Sequence, residues 1–120
     1  MDKTARGFRQ LSVWQKSYEM TLDIYRLTRN FPKSELYGMT SQIQRAAVSI
    51  PANISEGYDR NHKKEYVQFL SIARGSLGEL ETLLMLAKDL GYLSGNDFCA
   101  VDAKRAETAR MIQGLIRSLS

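Results

Sequence analysis

Three glutamates are the residues best placed to bind a metal ion. Glu56, Glu79 and Glu81 fall on two consecutive predicted helices, and carboxylates are the ligands that hard cations prefer. His62 is the only histidine and Cys99 the only cysteine, so the common zinc and di-iron patterns are absent. Pairing of the glutamates with arginines, or their contact with water, explains them more simply. We therefore predict no metal ion and no cofactor.

Nucleophilic catalysis is not indicated either. A serine nucleophile needs a base beside it, and His62 would have to serve whichever serine was chosen. Gly75 and Gly78 lie inside a predicted helix, whereas a phosphate-binding loop connects a strand to a helix. We predict that the protein is not an enzyme. The serines considered as nucleophiles are Ser41, Ser49, Ser55, Ser71 and Ser76.

Basic side chains cluster at one predicted turn. Arg60, Lys63 and Lys64 stand beside Tyr58 and His62. Cations that contact phosphate, together with an aromatic ring that stacks on a base, are typical of RNA recognition. A solvated helix start would carry the same residues, so both interpretations stay open. A looser basic face on the last helix consists of Lys104, Arg105, Arg110 and Arg117.

Polar side chains also run beside the apolar positions of the second and third helices. If these helices pack together, Arg45 or another cation can meet Glu79 or Glu81 in a partly buried network. Such a network fixes the register between helices more than it adds stability. A binding groove lined by the same groups is the functional alternative. The predicted network consists of Gln42, Arg45, Asn53, Glu56, Ser76, Glu79 and Glu81.

Helices must position these residues, and the spacing of apolar side chains predicts four. Apolar residues recur at steps of three and four, and strand-type alternation is missing. The predicted spans are 13–29, 35–57, 63–91 and 97–119, of which the last has the weakest pattern. Four helices with short connections predict an all-α, antiparallel up-and-down four-helix bundle over residues 12–120. Residues 1–11 lack periodicity and are expected to form a mobile N-terminal arm.

Residue types at the helix ends predict specific caps. Ser12 is expected to cap the first helix, with Gln15 completing a capping box. Ser34 is expected to cap the second helix, and Gly57 to end it in the left-handed conformation. Leu90 is expected to be the last core residue of the third helix.

Small residues mark the surfaces where helices can approach closely. The stretch Ser41–Gly57 is rich in alanine and serine, and Pro51 interrupts its hydrogen bonding. Gly75 and Gly78 sit inside the third helix, where each costs about 1 kcal/mol relative to alanine. Close approach by another helix is the simplest feature that would offset this cost.

Composition bounds the remaining possibilities. The chain has 120 residues, which suits one domain, and its net charge of +4 is too small to identify a partner. A single cysteine excludes an intramolecular disulfide and suits a reducing compartment. No signal-like or bilayer-spanning apolar run is present. We therefore expect a soluble, cytoplasmic protein.

Several long segments resemble a known family. They are VWQKS (13–17), IYRLT (24–28), FPKSELYG (31–38), SQIQRAAVSIPANISEG (41–57) and FLSIARGSLGELET (69–82). Over about residues 11–93 the chain is similar to the bacterial four-helix proteins known as 23S rRNA intervening-sequence proteins. Gln44 and Ser55 stand where the family pattern has arginine and alanine, and Gly78 is an additional glycine. Gln44 thereby removes one positive charge.

The resemblance implies a four-helix bundle that assembles as a ring-shaped homopentamer. Similar bundles act as basic accessory subunits of diversity-generating retroelements, where they engage a reverse transcriptase and nucleic acid. The family brings no catalytic residues. A ring needs two different faces on each protomer, which would account for the tracks of small residues. We expect a homo-oligomer with RNA or another protein as its partner, and neither a membrane nor a small-molecule substrate.

Overall fold

The computed structural model of the protein describes residues 7–120. Its four helices are α1 (Ser12–Thr28), α2 (Met39–Asp59), α3 (Lys63–Asp89) and α4 (Gly95–Leu119). Short 3-10 helices cover Phe8–Gln10 and Lys33–Glu35, and residues 7–120 contain no strand. The prediction of an all-α protein with four helices is confirmed.

The N-terminal arm is described only from Gly7 onward. The expected mobility of residues 1–6 lies outside the described residues. Phe8 stands edge-on to Trp14, with ring centroids 5.1 Å apart, and Leu11 packs against the core. The segment Phe8–Gln10 therefore rests on the first turn of α1.

Each helix packs against two others, and the core lies between them. α2 packs beside α1 and α3, and α4 also packs beside α1 and α3, whereas α1 and α3 are not neighbouring helices. Apolar spacing predicts one stripe from Leu36 to Ile54 in the second helix, and Ile43, Ala47, Ile50 and Ile54 are fully buried, whereas Leu36 precedes α2 and is 52% exposed. The helices that carry most of the candidate residues, α2 and α3, are therefore direct neighbours.

The apolar face of α3 differs from the prediction at its end. Leu83 is buried although it was not assigned to the core, and Leu90 is 55% exposed although it was. The reason is that α3 ends at Asp89, and Gly91 then turns the chain with a positive φ of 83°. Leu93, from the connection that follows, packs into the core instead.

α2 and α3 come into close contact at Gly57. A Cβ atom at this position would lie 2.7 Å from the Cβ of Phe69 and 3.1 Å from a ring carbon of Tyr66. The prediction that Gly57 ends the helix is wrong, because α2 continues to Asp59. The left-handed conformation occurs instead at Asn61, with a φ of 63°. Glycine is needed at position 57 for space.

Both predicted N-terminal caps are wrong. Ser12 lies inside α1, and Gln15 donates from Nε2 to the carbonyl of Arg9 at 2.7 Å rather than to a helix end. Ser34 belongs to the 3-10 helix that precedes α2, and Oε1 of Glu35 accepts the Met39 N–H at 3.1 Å. In each case a 3-10 helix precedes the α-helix, and a residue other than the serine occupies the N-cap position.

Pro51 leaves one backbone carbonyl of α2 without its usual partner. Proline has no N–H, so the carbonyl of Ala47 cannot accept the hydrogen bond from four residues later. The hydroxyl of Thr21 on α1 lies 3.2 Å from this carbonyl and 2.8 Å from the carbonyl of Ser17. A side chain of α1 thus supplies a donor at the interruption in α2.

The two glycines inside α3 have no helix against them. A Cβ atom at Gly75 or Gly78 would find no other atom within 4 Å, and both residues are exposed. The close helix approach expected at these positions is therefore not made by residues 7–120 of the same chain.

Alanine substitution at Gly57 should destabilise the protein, because the new Cβ would push α3 away through Phe69. We expect the free energy of unfolding to fall by about 1–3 kcal/mol, as for other overpacked sites. Gly114→Ala is the matched control, since its Cβ would meet no atom within 4 Å and alanine favours the helix by about 1 kcal/mol. Chemical denaturation of both variants measures the difference. Equal stabilities for the two variants would contradict the role of Gly57.

Candidate functional site

Part of the predicted polar network lines a groove between α2 and α3. Gln42, Arg45, Ser76 and Glu79 border this groove, which has a volume of about 380 Å³. Its wall also contains Ser49, whose hydroxyl lies 2.8 Å from that of Ser76. The structure therefore brings four of the seven network residues to one surface.

The side chain of Asn53 connects to the same wall from the next turn of α2. Its Nδ2 donates to the carbonyl of Ser49 at 2.7 Å and to the Ser49 hydroxyl at 3.0 Å. The hydroxyl pair joins α2 to α3, and the Asn53 amide holds the Ser49 side chain from within α2. The hydrogen bond between the two helices at this groove is therefore made by neutral serines rather than by charged groups.

Of the ion pairs predicted between Arg45 or another cation and Glu79 or Glu81, the structure forms one, between Arg105 of α4 and Glu81, and Arg45 takes no part in it. Arg45 and Glu79 are both exposed, and neither makes an ion pair within residues 7–120. An exposed pair gains little over water while immobilising two long side chains, which explains why the groove leaves them apart.

Glu56 and Glu81 lie outside this groove and have other partners. Glu56 accepts from Arg60, one turn later on α2, at 3.1 Å. Glu81 accepts from Arg105 on α4 at 3.2 Å. The three glutamates considered for a metal site therefore point to different places. Within the described part of the chain, no three His, Cys, Asp or Glu side chains are grouped to hold a metal ion.

Arg105 is a buried charge, although the sequence predicted it to belong to a basic face of the last helix. Only 9% of the residue is exposed, and its Nε donates to Asp102 at 2.5 Å in addition to the pair with Glu81. The spacing of Asp102 and Arg105, three apart on a helix, was the available signal. This arginine links α4 to α3 and is not available to an outside partner.

The four residues predicted to contact RNA surround the turn between α2 and α3: Tyr58 near the end of α2, Arg60 in the turn, and Lys63 and Lys64 at the start of α3. Arg60 pairs with Glu56 and, at 3.6 Å, with Glu65, and its guanidinium lies 5.2 Å from the ring centroid of Phe69. Lys63 and Lys64 are exposed and make no ion pair with a described carboxylate. The cations free for an anionic partner are thus two rather than three.

Aromatic rings border the same turn. Tyr58 is 38% exposed and stands edge-on to Tyr66, with ring centroids 6.0 Å apart. Burial raises the pKa of Tyr66, and the nearby Tyr58 adds to the rise. A groove of about 350 Å³ runs past these rings and is also lined by Asn61, His62, Lys63 and Leu119.

The basic face predicted on the last helix is mostly engaged within the chain. Lys104 pairs with Asp23 of α1, which also accepts from Arg26. Burial acts to raise the pKa of Asp23, but hydrogen bonds from Lys104 and Arg26 and their charges outweigh it and lower the pKa. With Arg105 buried as well, Arg110 and Arg117 remain as exposed cations on this helix.

Comparison with known proteins identifies one family. The family model described as 23S rRNA-intervening sequence protein matches residues 9–114. A similar fold is seen in the crystal structure of a protein of unknown function from the S23 ribosomal protein family of Bacteroides thetaiotaomicron. That structure shares 24% sequence identity and a TM-score of 0.81, covering 88% of this chain and 95% of the other. No curated protein matches the chain.

In the described residues, no helix is long and apolar enough to cross a membrane.

Removal of the Asp23 carboxylate should destabilise the protein in a pH-dependent way. Because the folded state lowers the pKa of Asp23, its contribution is present above the unfolded pKa and is lost as pH falls through the folded pKa. We expect Asp23→Asn to lower the free energy of unfolding by about 0.5–1 kcal/mol at neutral pH. The difference from the parent should shrink as pH falls below the ordinary aspartate pKa, and it should vanish once the pH lies below the lowered pKa of the folded state, where the carboxyl is protonated in both states.

The matched control is Asp59→Asn, because Asp59 is exposed and makes no ion pair with a described residue. Urea denaturation at several pH values gives both comparisons. A loss for Asp23→Asn that stayed constant down to pH 2 would show that the ion pair is not its source.

Proposed function

The chain belongs to the 23S rRNA-intervening sequence protein family, and from that premise we propose that it is a non-enzymatic assembly protein. It acts in the cytoplasm as an antiparallel up-and-down bundle whose copies form a ring-shaped homopentamer. The single observation that carries this proposal is the pair of apolar surfaces left exposed on α1 and α3.

The contacts between α3 and α4 support the antiparallel arrangement. Arg74 donates to Gln113 at 2.8 Å, Arg105 pairs with Glu81, and Lys88 lies 4.9 Å from the ring centroid of Phe98. Positions that advance along α3 therefore meet positions that recede along α4. This order is typical of consecutive helices joined by a short connection.

The first exposed apolar surface lies on α1. Tyr18 and Leu22 are 47% and 45% exposed, and Trp14 stacks on Tyr18 with ring centroids 4.9 Å apart. These residues are spaced four apart and form one stripe on the helix. Large apolar side chains grouped in this way commonly mark a contact with another protein.

The second exposed apolar surface lies on α3. Four apolar residues of this surface are each about half exposed, namely Ile72, Met85, Leu86 and Leu90. Gly75 and Gly78 are also exposed and carry no side chain, so the surface is recessed at these two positions. Because α1 and α3 are not neighbouring helices, their outward surfaces lie on different sides of the bundle. A ring is closed by contacts between two different surfaces of each copy, which this arrangement provides.

The proposal predicts a particle of about five times the protomer mass of 13.6 kDa at micromolar concentration. Two variants should lower that mass while the fold survives. Leu22→Lys places a charge in the α1 stripe, and Gly75→Leu adds bulk where the protomer itself has free space. Light scattering with size-exclusion chromatography measures the mass, and circular dichroism checks the fold.

Val48→Lys is the control, because Val48 is a similarly exposed apolar residue on α2. It should leave the particle mass unchanged. A parent protein that runs as a single protomer would refute the assembly proposal, and equal effects of all three variants would refute its choice of surfaces.

RNA contact through the turn between α2 and α3 is the second candidate function. The observation that favours it is the pair of exposed lysines without an ion pair, Lys63 and Lys64, of which Lys63 lines the same groove as the exposed ring of Tyr58. Lysines bind phosphate and an aromatic ring stacks on an unpaired base. Arg60 supports the turn through its ion pairs instead of reaching outward.

Replacing both lysines, Lys63→Ala with Lys64→Ala, should weaken binding of a single-stranded RNA. The dependence of log Kd on log salt concentration should fall by about 1.4, the value for two lost phosphate contacts. The control is Arg74→Ala with Arg110→Ala, which removes the same charge from exposed positions elsewhere. It should change neither the affinity for RNA nor the dependence of that affinity on salt. Fluorescence anisotropy at several salt concentrations measures both quantities. An unchanged salt dependence in the lysine variant would exclude the turn as an RNA contact.

A further inference from the structure

A separate groove lies where the end of α1 meets the start of α2. It has a volume of about 290 Å³, and its charged lining residues are Arg29 and Lys33, with no carboxylate among the rest. Both cations are exposed, and neither pairs with a carboxylate in the described part of the chain. Arg29 follows the last turn of α1, where a cation also offsets the helix dipole, but Lys33 has no such role. The groove is therefore a positively charged recess.

Thr40 gives this recess an unused hydrogen-bonding group. The residue lines the groove and is only 5% exposed, yet its hydroxyl has no hydrogen-bond partner within residues 7–120. No fully enclosed side-chain oxygen or nitrogen in those residues lacks a partner, so the Thr40 hydroxyl keeps some contact with solvent. Because Thr40 lines the groove, its hydroxyl is a hydrogen-bonding group that the protein leaves to water or to a ligand.

The rest of the lining can recognise a flat polar ring. Tyr25 borders the groove and is 41% exposed, so its ring is available for stacking. Gln44 is held by the hydrogen bond that its Nε2 donates to the Thr28 hydroxyl at 3.0 Å. Its Oε1 accepts no hydrogen bond from a described residue and can accept one from an amino group.

We propose that this groove binds a nucleotide, either free or as one unit of a single-stranded RNA. Arg29 and Lys33 contact the phosphate, and the Thr40 hydroxyl donates to a phosphate or sugar oxygen. The base stacks on Tyr25 and donates from its exocyclic amino group to Gln44 Oε1. The two cations, the Thr40 hydroxyl and Gln44 Oε1 thereby each obtain a partner.

This site is distinct from the turn between α2 and α3. The two lie at opposite ends of α2, which has 21 residues and is therefore about 30 Å long. One nucleotide cannot reach both. All the residues of the proposed nucleotide site belong to one chain.

A mononucleotide is therefore the probe that separates the sites. Adenosine monophosphate is titrated into the full chain by calorimetry, with Arg29→Ala plus Lys33→Ala as the groove variant and Lys63→Ala plus Lys64→Ala as the control of equal charge. We expect the groove variant to weaken binding by at least about tenfold, as for a lost hydrogen bond to a charged group, and the control to bind like the parent.

Thr40→Val tests the site with almost no change of shape. Loss of the unpartnered hydroxyl should leave the melting temperature unchanged or raise it, while nucleotide affinity falls by about tenfold. A merely structural threonine would give the opposite pattern, with lower stability and unchanged affinity, and that result would overturn the proposal.

Inorganic phosphate tests the contribution of the base. It should bind at least about fivefold more weakly than the mononucleotide, because it cannot stack on Tyr25. Tyr25→Phe should keep the difference and Tyr25→Ala should remove it. Particle mass is measured for every variant, because Tyr25 also ends the exposed stripe of α1 and a loss of assembly must be told from a loss of binding.

Competition identifies the source of the nucleotide. A single-stranded RNA oligonucleotide that displaces the mononucleotide, where a duplex does not, assigns the site to RNA, and failure to displace assigns it to free nucleotides. The proposal is overturned if the mononucleotide does not bind at millimolar concentration, or if the groove and turn variants weaken it equally. Equal displacement by poly-aspartate would indicate an acidic protein segment as the ligand and would also overturn it.

Discussion

Close contact between α2 and α3 is the constraint on which the rest of the structure depends. At Gly57 the chain has no room for a Cβ, because Phe69 and Tyr66 occupy that space. About two turns earlier on α2 the hydroxyls of Ser49 and Ser76 bond across the same interface. Large side chains at these positions would separate the helices and expose Ile50 and Ile54, which are now fully buried. The small residues of α2 therefore decide which surfaces of α3 remain outside.

The distribution of charge follows from this packing. Where carboxylates and cations are brought together, as at Arg105 with Asp102 and Glu81, they join helices and are lost to outside partners. Arg60 is likewise held over Phe69. The exposed cations without an ion pair include Arg29 and Lys33 near the start of α2, Lys63 and Lys64 after its end, and Arg45 in the groove between α2 and α3, although the chain as a whole is only mildly basic. Position rather than net charge decides which cations can meet an anion.

The helices and most of the core could be predicted from the sequence, because apolar spacing follows directly from helical geometry. Ile43 and Ile50 are examples. Features that depend on contacts distant in the chain could not. Glycine is common at helix ends, which is why Gly57 was predicted to end the helix, but glycine is needed there because Phe69 of another helix leaves no room for a Cβ. Arg105 looks like a surface cation until Glu81 is placed beside it. Thr40 has no signal of its own, since an unpartnered hydroxyl is visible only when its surroundings are known.

The hydroxyl of Thr21 has a consequence for how the protein folds. Before α1 docks, water must hydrogen-bond the Ala47 carbonyl that Pro51 leaves without a donor. When α1 arrives, the Thr21 hydroxyl takes over from that water, at 3.2 Å, and the neighbouring Ile50 is buried in the same event. The middle of α2 thus reaches its final state only together with α1. Formation of the two helices is coupled, which favours a cooperative transition over stepwise assembly from finished helices.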